Sequence, residues 1–253
     1  MRDELLKNNI IKAEKAIVDM GSDSTKILEV SYTSKTINIE EAYMLPIGFD
    51  TDRSFEETAK KVSEKLSGRK RRDIIVSLPP EITESKIISV KNKTDKEAAK
   101  TVQKQCRAFG KTNSLTHIVN ASLLGTREEQ GDTVMYYLVS SVQKSVMHEL
   151  VDAFSDFGMK ITRVVSSAFN QVCLSEIFAD DYDNINRILV DFGNKQSRIT
   201  VIADKVAVYS RTVLIGFQSY VQKLFDANNV AGRSEIISAL VNVSEANGDS
   251  SAV

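Results

Sequence analysis

Two segments of the chain share one grammar, and that grammar limits what the rest can become. The first runs Ala16-Ile17-Val18-Asp19-Met20-Gly21-Ser22-Asp23-Ser24-Thr25-Lys26-Ile27-Leu28-Glu29-Val30. The second runs Ile188-Leu189-Val190-Asp191-Phe192-Gly193-Asn194-Lys195-Gln196-Ser197-Arg198-Ile199-Thr200-Val201-Ile202. Each is an apolar run, then Asp-x-Gly, then a few small or polar residues, then a second apolar run. The pattern predicts two strands joined by a tight polar hairpin, with an acid at the end of the first strand. Such a turn can offer backbone N–H groups to phosphate oxygens while the neighbouring carboxylate holds a hydrated cation. The same residues also suit a plain structural hairpin. Their recurrence about 172 residues apart predicts a duplicated, phosphate-cradling lobe.

The remaining composition narrows the setting. A chain of 253 residues accommodates one large domain or two ordinary ones. With 42% hydrophobic residues, 26% charged residues and a net charge of −1, it has neither a nucleic-acid-binding charge balance nor an acidic shell. No window of 18 apolar residues occurs. The opening segment, residues 1–12, lacks the apolar core and cleavage site of a signal peptide and predicts a solvated lead-in helix, with a short amphipathic membrane-touching arm as the alternative. Cys106 and Cys173 lie in helical patterns far from any metal-ligand spacing, so both are expected as buried small hydrophobes. His117 and His148 make neither a metal site nor a triad. A reducing, cytoplasmic setting is the expectation.

Along the chain, strands are predicted at 16–20, 26–32 and 36–45, then a turn at Pro46-Ile47-Gly48. Ser54 and Glu57 read as a capping box for a helix with Phe55, Ala59, Val62 and Leu66 on one face. The run Arg69-Lys70-Arg71-Arg72 reads as a solvated loop. Asp73–Leu78 is a short buried strand, and Pro79-Pro80 breaks its ladder, which places a subdomain boundary there. Beyond it come a strand at 83–90, a helix from Asp95 to about Phe109, and strands at 115–124 and 133–140 around a turn at Gly125–Asp132. A helix follows with Val142, Val146, Leu150, Ala153 and Phe157 inward. A strand at 161–165 and a helix at 166–179 return the chain to the first lobe. The acidic stretch 180–183 is a hinge or loop. After the second hairpin, a strand at 205–214, a helix from Phe217 and another at 233–243 are expected.

The order of these pieces resembles the actin-like ATPase superfamily. More narrowly, it is similar to the PilM family of type IV pilus assembly proteins, relatives of the cell-division protein FtsA. Asp19-Met20-Gly21-Ser22-Asp23-Ser24-Thr25-Lys26 resembles the family's first phosphate motif, with Lys26 seven residues after the acid. Asp191-Phe192-Gly193 resembles the second, and Ser210–Gly216 the strand and turn after it. Ile75-Val76-Ser77-Leu78-Pro79 and Phe157-Gly158-Met159-Lys160-Ile161 resemble the entry to and exit from an inserted subdomain.

The resemblance implies an α/β, actin-like fold of two ribonuclease-H-like lobes with an inserted small α/β subdomain and an incomplete second lobe. Its expected parts are an arm at 1–13, a first lobe at 14–78 and 162–182, the insert at 79–161, a partial second lobe at 183–243 and a disordered tail at 244–253. It implies ATP and magnesium in the cleft. Asp19 and Asp191 would hold the cation through water. The turn Gly21, Ser22, Asp23, Ser24 and Thr25, with Lys26, would meet the phosphates, as would Gly193, Asn194, Lys195 and Gln196. Gln196 is the local candidate for orienting a water, no general base is identifiable, and at most weak ATPase activity is expected. The implied function is a cytoplasmic scaffold of type IV pilus assembly. It would dock the cytoplasmic N-terminal peptide of a PilN-like inner-membrane protein near Thr83–Lys91 and residues 95–125. Peripheral association with the membrane through that partner, and self-association, are further expectations. An FtsA-like filament protein and an ATPase or phosphotransferase remain the alternatives.

Overall fold

The computed structural model describes residues 13–33, 36–49, 55–66, 72–91, 95–107, 115–177 and 186–228. The expected lead-in helix, the Ser54 cap, residues 69–71 of the basic run, the acidic stretch at 180–183, the helix at 233–243 and the tail lie outside the described residues.

The first sheet begins with an antiparallel meander, β1 (Ala13–Met20), β2 (Thr25–Tyr32) and β3 (Ile37–Leu45). β1 then pairs in parallel with β4 (Arg72–Leu78), and β4 with β8 (Met159–Ser166), giving the order β3-β2-β1-β4-β8. Period-2 alternation decides which face is buried. Ala16, Val18 and Met20 of β1 and Ile74, Val76 and Leu78 of β4 form one core with two helices. α1 (Phe55–Lys65) contributes Phe55, Ala59 and Val62, the expected face, and α3 (Lys144–Asp156) adds Leu150, Ala153 and Phe154. Val142, expected on that helix, belongs instead to the strand before it.

Between β4 and β8 the chain builds a second, smaller sheet. β5 (Glu84–Lys91), β6 (His117–Glu129) and β7 (Asp132–Gln143) pair in the order β5-β7-β6. One face packs on α2 (Asp95–Arg107) through Val90, Ala98, Val102 and Met135. The β6–β7 turn is Gln130-Gly131, not the eight-residue loop expected at 125–132. Gly125 lies inside β6, at a register shift opposite Tyr136, with φ +151°. A glycine in a polar stretch reads as a turn in sequence; here it makes a bulge.

α4 (Ser167–Ile177) then crosses to the third sheet, β9 (Arg187–Phe192), β10 (Ser197–Ala203) and β11 (Val206–Val213), ordered β11-β10-β9. This antiparallel meander repeats the β3-β2-β1 part of the first sheet, and α5 (Phe217–Asn228) follows it. Ala168 and Val172 of α4, Ile202, Val206 and Ala207 of the third sheet, and Ile87, Val134, Tyr136 and Leu138 of the insert share one apolar cluster. The insert therefore touches both α4 and the third sheet. Cys106 and Cys173 are half-buried rather than fully buried, and burial raises the Cys106 thiol pKa. Among the described residues no helix is long and apolar enough to cross a membrane.

Candidate functional site

The two Asp-x-Gly turns are closed from above by the same pair of hydrogen bonds. In the first, Gly21 N–H donates to Ser24 O at 3.1 Å, and Phe49 N–H donates to Gly21 O at 2.7 Å. The buried Thr25 hydroxyl donates to Ile47 O at 2.8 Å. In the second, Phe217 N–H donates to Gly193 O at 2.9 Å, and the Ser197 hydroxyl donates to Ile215 O at 2.6 Å. Each turn is thus roofed by an Ile-Gly-Phe tripeptide, 47–49 or 215–217. The roofing glycine must be glycine: a Cβ on Gly48 would sit 2.3 Å from Ser22 O, and one on Gly216 2.4 Å from Asn194 O. Gln218 N–H also donates to Asn194 O at 2.8 Å, so carbonyls of the second turn cap the first amides of α5.

Both turns open on one cleft of about 650 Å³. Asp19, Gly21, Ser22, Asp23, Ser24 and Lys26 line one side, and Asp191, Gly193, Asn194 and Gln196 the other. The Asn194 amide donates to Asp23 across the gap at 3.4 Å. Of the expected ligand-contacting residues, Thr25 and Lys195 do not line the cleft. The Thr25 side chain has no exposure and is committed to Ile47, so its role is to hold the turn closed. Lys26 stands opposite Asp19 in the β1–β2 register and pairs with it at 3.5 Å. Both partners are about half exposed, so the pair contributes little stability and stays available to a ligand.

Residues that the motifs do not flag complete the walls. Pro79, Pro80 and Glu81 follow β4, Ser167, Asn170 and Gln171 come from α4, and Arg198 and Thr212 come from the third sheet. Asn170 donates to Ser77 of the first sheet at 2.8 Å, and Gln171 Oε1 accepts from Thr200 of the third at 2.7 Å, so α4 ties the two sheets beneath the cleft. Among the described residues, the buried side-chain atoms left without a hydrogen-bond partner are both Glu81 carboxylate oxygens and the Ser167 hydroxyl. All three line this cleft. Native structures leave few such groups, and a ligand that satisfies them is the economical explanation. Hydrated magnesium fits, because it keeps its waters and is held by few carboxylates. Asp19 and Asp191, one on each turn, are the acids that would hold it through water, and the turn amides suit phosphate. No cage of three acidic, His or Cys side chains forms among the described residues.

Two signals in the sequence point at what the motifs miss. One is the repeated Ile-Gly-Phe, which marks the roofs. The other is Glu81, directly after a proline pair that ends a buried strand, hence held at a strand's carboxyl end where open α/β sheets bind ligands.

A five-stranded 3-2-1-4-8 sheet, a second antiparallel meander, a helix between them and an insert after β4 constitute the actin-like ATPase fold. Comparison with solved structures agrees. The chain superposes on a protein of the PilM–PilN type IV pilus biogenesis complex with a TM-score of 0.69 at 13% identity, covering 87% of this chain and 67% of that one. Weaker likenesses include the cytoplasmic domain of EpsL, an inner-membrane component of the Vibrio cholerae type II secretion system, with a TM-score of 0.47, 9% identity, and coverage of 87% and 78%. Another is a Bacteroides thetaiotaomicron protein with actin-like ATPase fold and unknown function, at 0.46, 11%, 85% and 75%. No protein-family model matches the sequence, and neither does any curated protein.

Proposed function

We propose that the chain is an actin-like scaffold of a pilus or secretion-type machine. In this reading it holds magnesium-ATP in the cleft and docks the cytoplasmic peptide of a PilN-like inner-membrane protein beside the insert. The observation that carries the docking is a second depression of about 210 Å³, between the insert, β8 and α3. Its floor is one face of β6 and β7, with Ile118, Asn120 and Ser122 opposite Val142, Ser140 and Leu138. Met147 of α3 and Thr83 stand beside it. Apolar anchors interleaved with hydroxyl and amide groups suit an amphipathic peptide. Thr83, Ile118, Asn120 and Ser122 fall within the segments that the family resemblance indicates. Membrane association would then come through the partner.

Calorimetry with a PilN-like N-terminal peptide tests the docking. The Ile118→Asp and Met147→Glu variants should each weaken binding by roughly tenfold or more, the usual cost of truncating an anchor. Wild-type protein that ignores the peptide, or variants that bind it equally well, would rule the groove out. For the cleft, titration of magnesium-ATP should give binding that Asp19→Ala abolishes.

Glu81 favours a second reading, in which the cleft slowly hydrolyses its ligand. Its carboxylate oxygens are buried without a hydrogen-bond partner, in a residue that lines the same cleft as the two turns, so a rotation into the cleft would bring an uncommitted proton acceptor to a water there. Phosphate release that falls by roughly 100-fold in Glu81→Gln, with ATP still bound, would support it.

A further inference from the structure

Arg198 is 4% exposed, yet its residue lines the cleft. It sits directly across from Asp191 on β9 and Thr212 on β11, and both of these also line the cleft, so the three side chains share one face of the sheet. No described carboxylate lies within ion-pair distance of its guanidinium; Asp191 acts on it only as a nearby charge. Burial accordingly pushes its pKa down, with Asp191 partly opposing. A guanidinium at this depth, with Asp191 only a nearby charge and not an ion-pair partner, is costly to the empty protein, and the cost is relieved when an anion arrives. Guanidinium suits phosphate oxygens geometrically, through two parallel N–H donors.

We propose that Arg198 is a phosphate-binding residue of this cleft, meeting the phosphate oxygens of the magnesium-bound ligand. The proposal rests on the reading that the cleft holds magnesium-ATP, and it adds which residue reads the phosphate. The charge balance suits the magnesium-bound form. Asp19, Asp23, Glu81 and Asp191 face Lys26 and Arg198, so a bare polyphosphate would meet an excess of carboxylates. A metal-bound one would bring its own cation, which offsets that excess.

Thermal shift and calorimetry on the full chain test this, with wild type, Arg198→Met and Arg198→Lys. The ligands are magnesium-ATP, magnesium-tripolyphosphate, and ATP with a chelator. Arg198→Met should melt no lower than wild type, because a buried charge is replaced by an apolar chain of similar length. Its affinity for the magnesium complexes should fall roughly 10- to 100-fold, as expected for loss of a charge-assisted pair of hydrogen bonds. Arg198→Lys should retain part of the affinity, and it serves as the folded control. Chelation should weaken wild-type binding more than tenfold. Equal response to ATP and tripolyphosphate would mean that the phosphate chain alone is recognised; preference for ATP would mean that the nucleoside is read too. Either supports Arg198 if the Met variant is weakened. Wild-type binding that Arg198→Met leaves unchanged overturns the role of Arg198 alone, as does a large drop in its melting temperature, which would make Arg198 structural. Wild type indifferent to every ligand overturns both this role and the reading of the cleft.

Discussion

Gly48 and Gly216 do the same job in different parts of the chain, and neither belongs to an Asp-x-Gly motif. Each lets a later segment pass within van der Waals contact of a turn carbonyl, where a methyl group would be 2.3 or 2.4 Å from oxygen. Gly48→Ala and Gly216→Ala should each destabilise the protein by about 1–3 kcal/mol, the range for forced overpacking. Urea denaturation followed by circular dichroism measures this, and a change below about 0.5 kcal/mol would show that the roofs yield easily. The sequence makes the turns themselves plain, because the Asp-x-Gly spacing is local. The roofs were harder to see, since Gly48 and Ser22 meet only after β2 and β3 have folded. Arg198 is hidden for another reason: one basic residue at the start of an apolar strand carries no sign of whether it points to solvent or into a cleft. Thr25, by contrast, reads as a phosphate contact in the motif and proves to be a buried hydrogen-bond donor to Ile47.

Among the elements, β6 departs furthest from what its sequence predicts. Its 13 residues run through Gly125 to a two-residue turn, so the insert's sheet reaches further than a turn at 125–132 would allow. That extra length carries Arg127 and Glu129 to the third sheet. Arg127 donates to Asp204 of the β10–β11 turn at 3.0 and 2.7 Å and to Glu129 at 3.0 Å, and the Tyr136 hydroxyl donates to Glu129. Asp204 holds the Arg127 pKa up, whereas burial, followed by Glu129, raises that of Tyr136. Asp204 is two-thirds exposed, so solvent screens the pair. A double-mutant cycle of Arg127→Ala and Asp204→Ala should return about 0.5–1 kcal/mol of coupling; a value near zero would leave the apolar cluster alone to hold the insert. Strand and helix positions were otherwise legible to within a few residues, because alternation and amphipathic spacing depend on local sequence. The contacts between sheets, such as Val206 against Gly125, leave no such local mark.

Taken whole, the molecule has two sheets that share α4 and are linked a second time by the insert. The cleft therefore lies between walls connected at two places. Hydrogen exchange with and without magnesium-ATP should show protection arising together in residues 21–26 and 193–198, and in the first turn of α5, while the β5–β7 pairing stays unchanged. Protection confined to one turn would mean that the ligand uses only one half of the cleft. The joint response follows from the Asn194–Asp23 hydrogen bond and from the amides of Phe217 and Gln218, which are bound to the second turn's carbonyls.

Those two amide bonds also make α5 a lever with its fulcrum at the second Asp-x-Gly turn. Twelve residues of helix span about 18 Å. A tilt of about 5° at Gly193 and Asn194 would carry the far end, at Asn228, through roughly 1.6 Å. A shift of a few tenths of an ångström in the turn would therefore reach the far end of α5 enlarged several-fold.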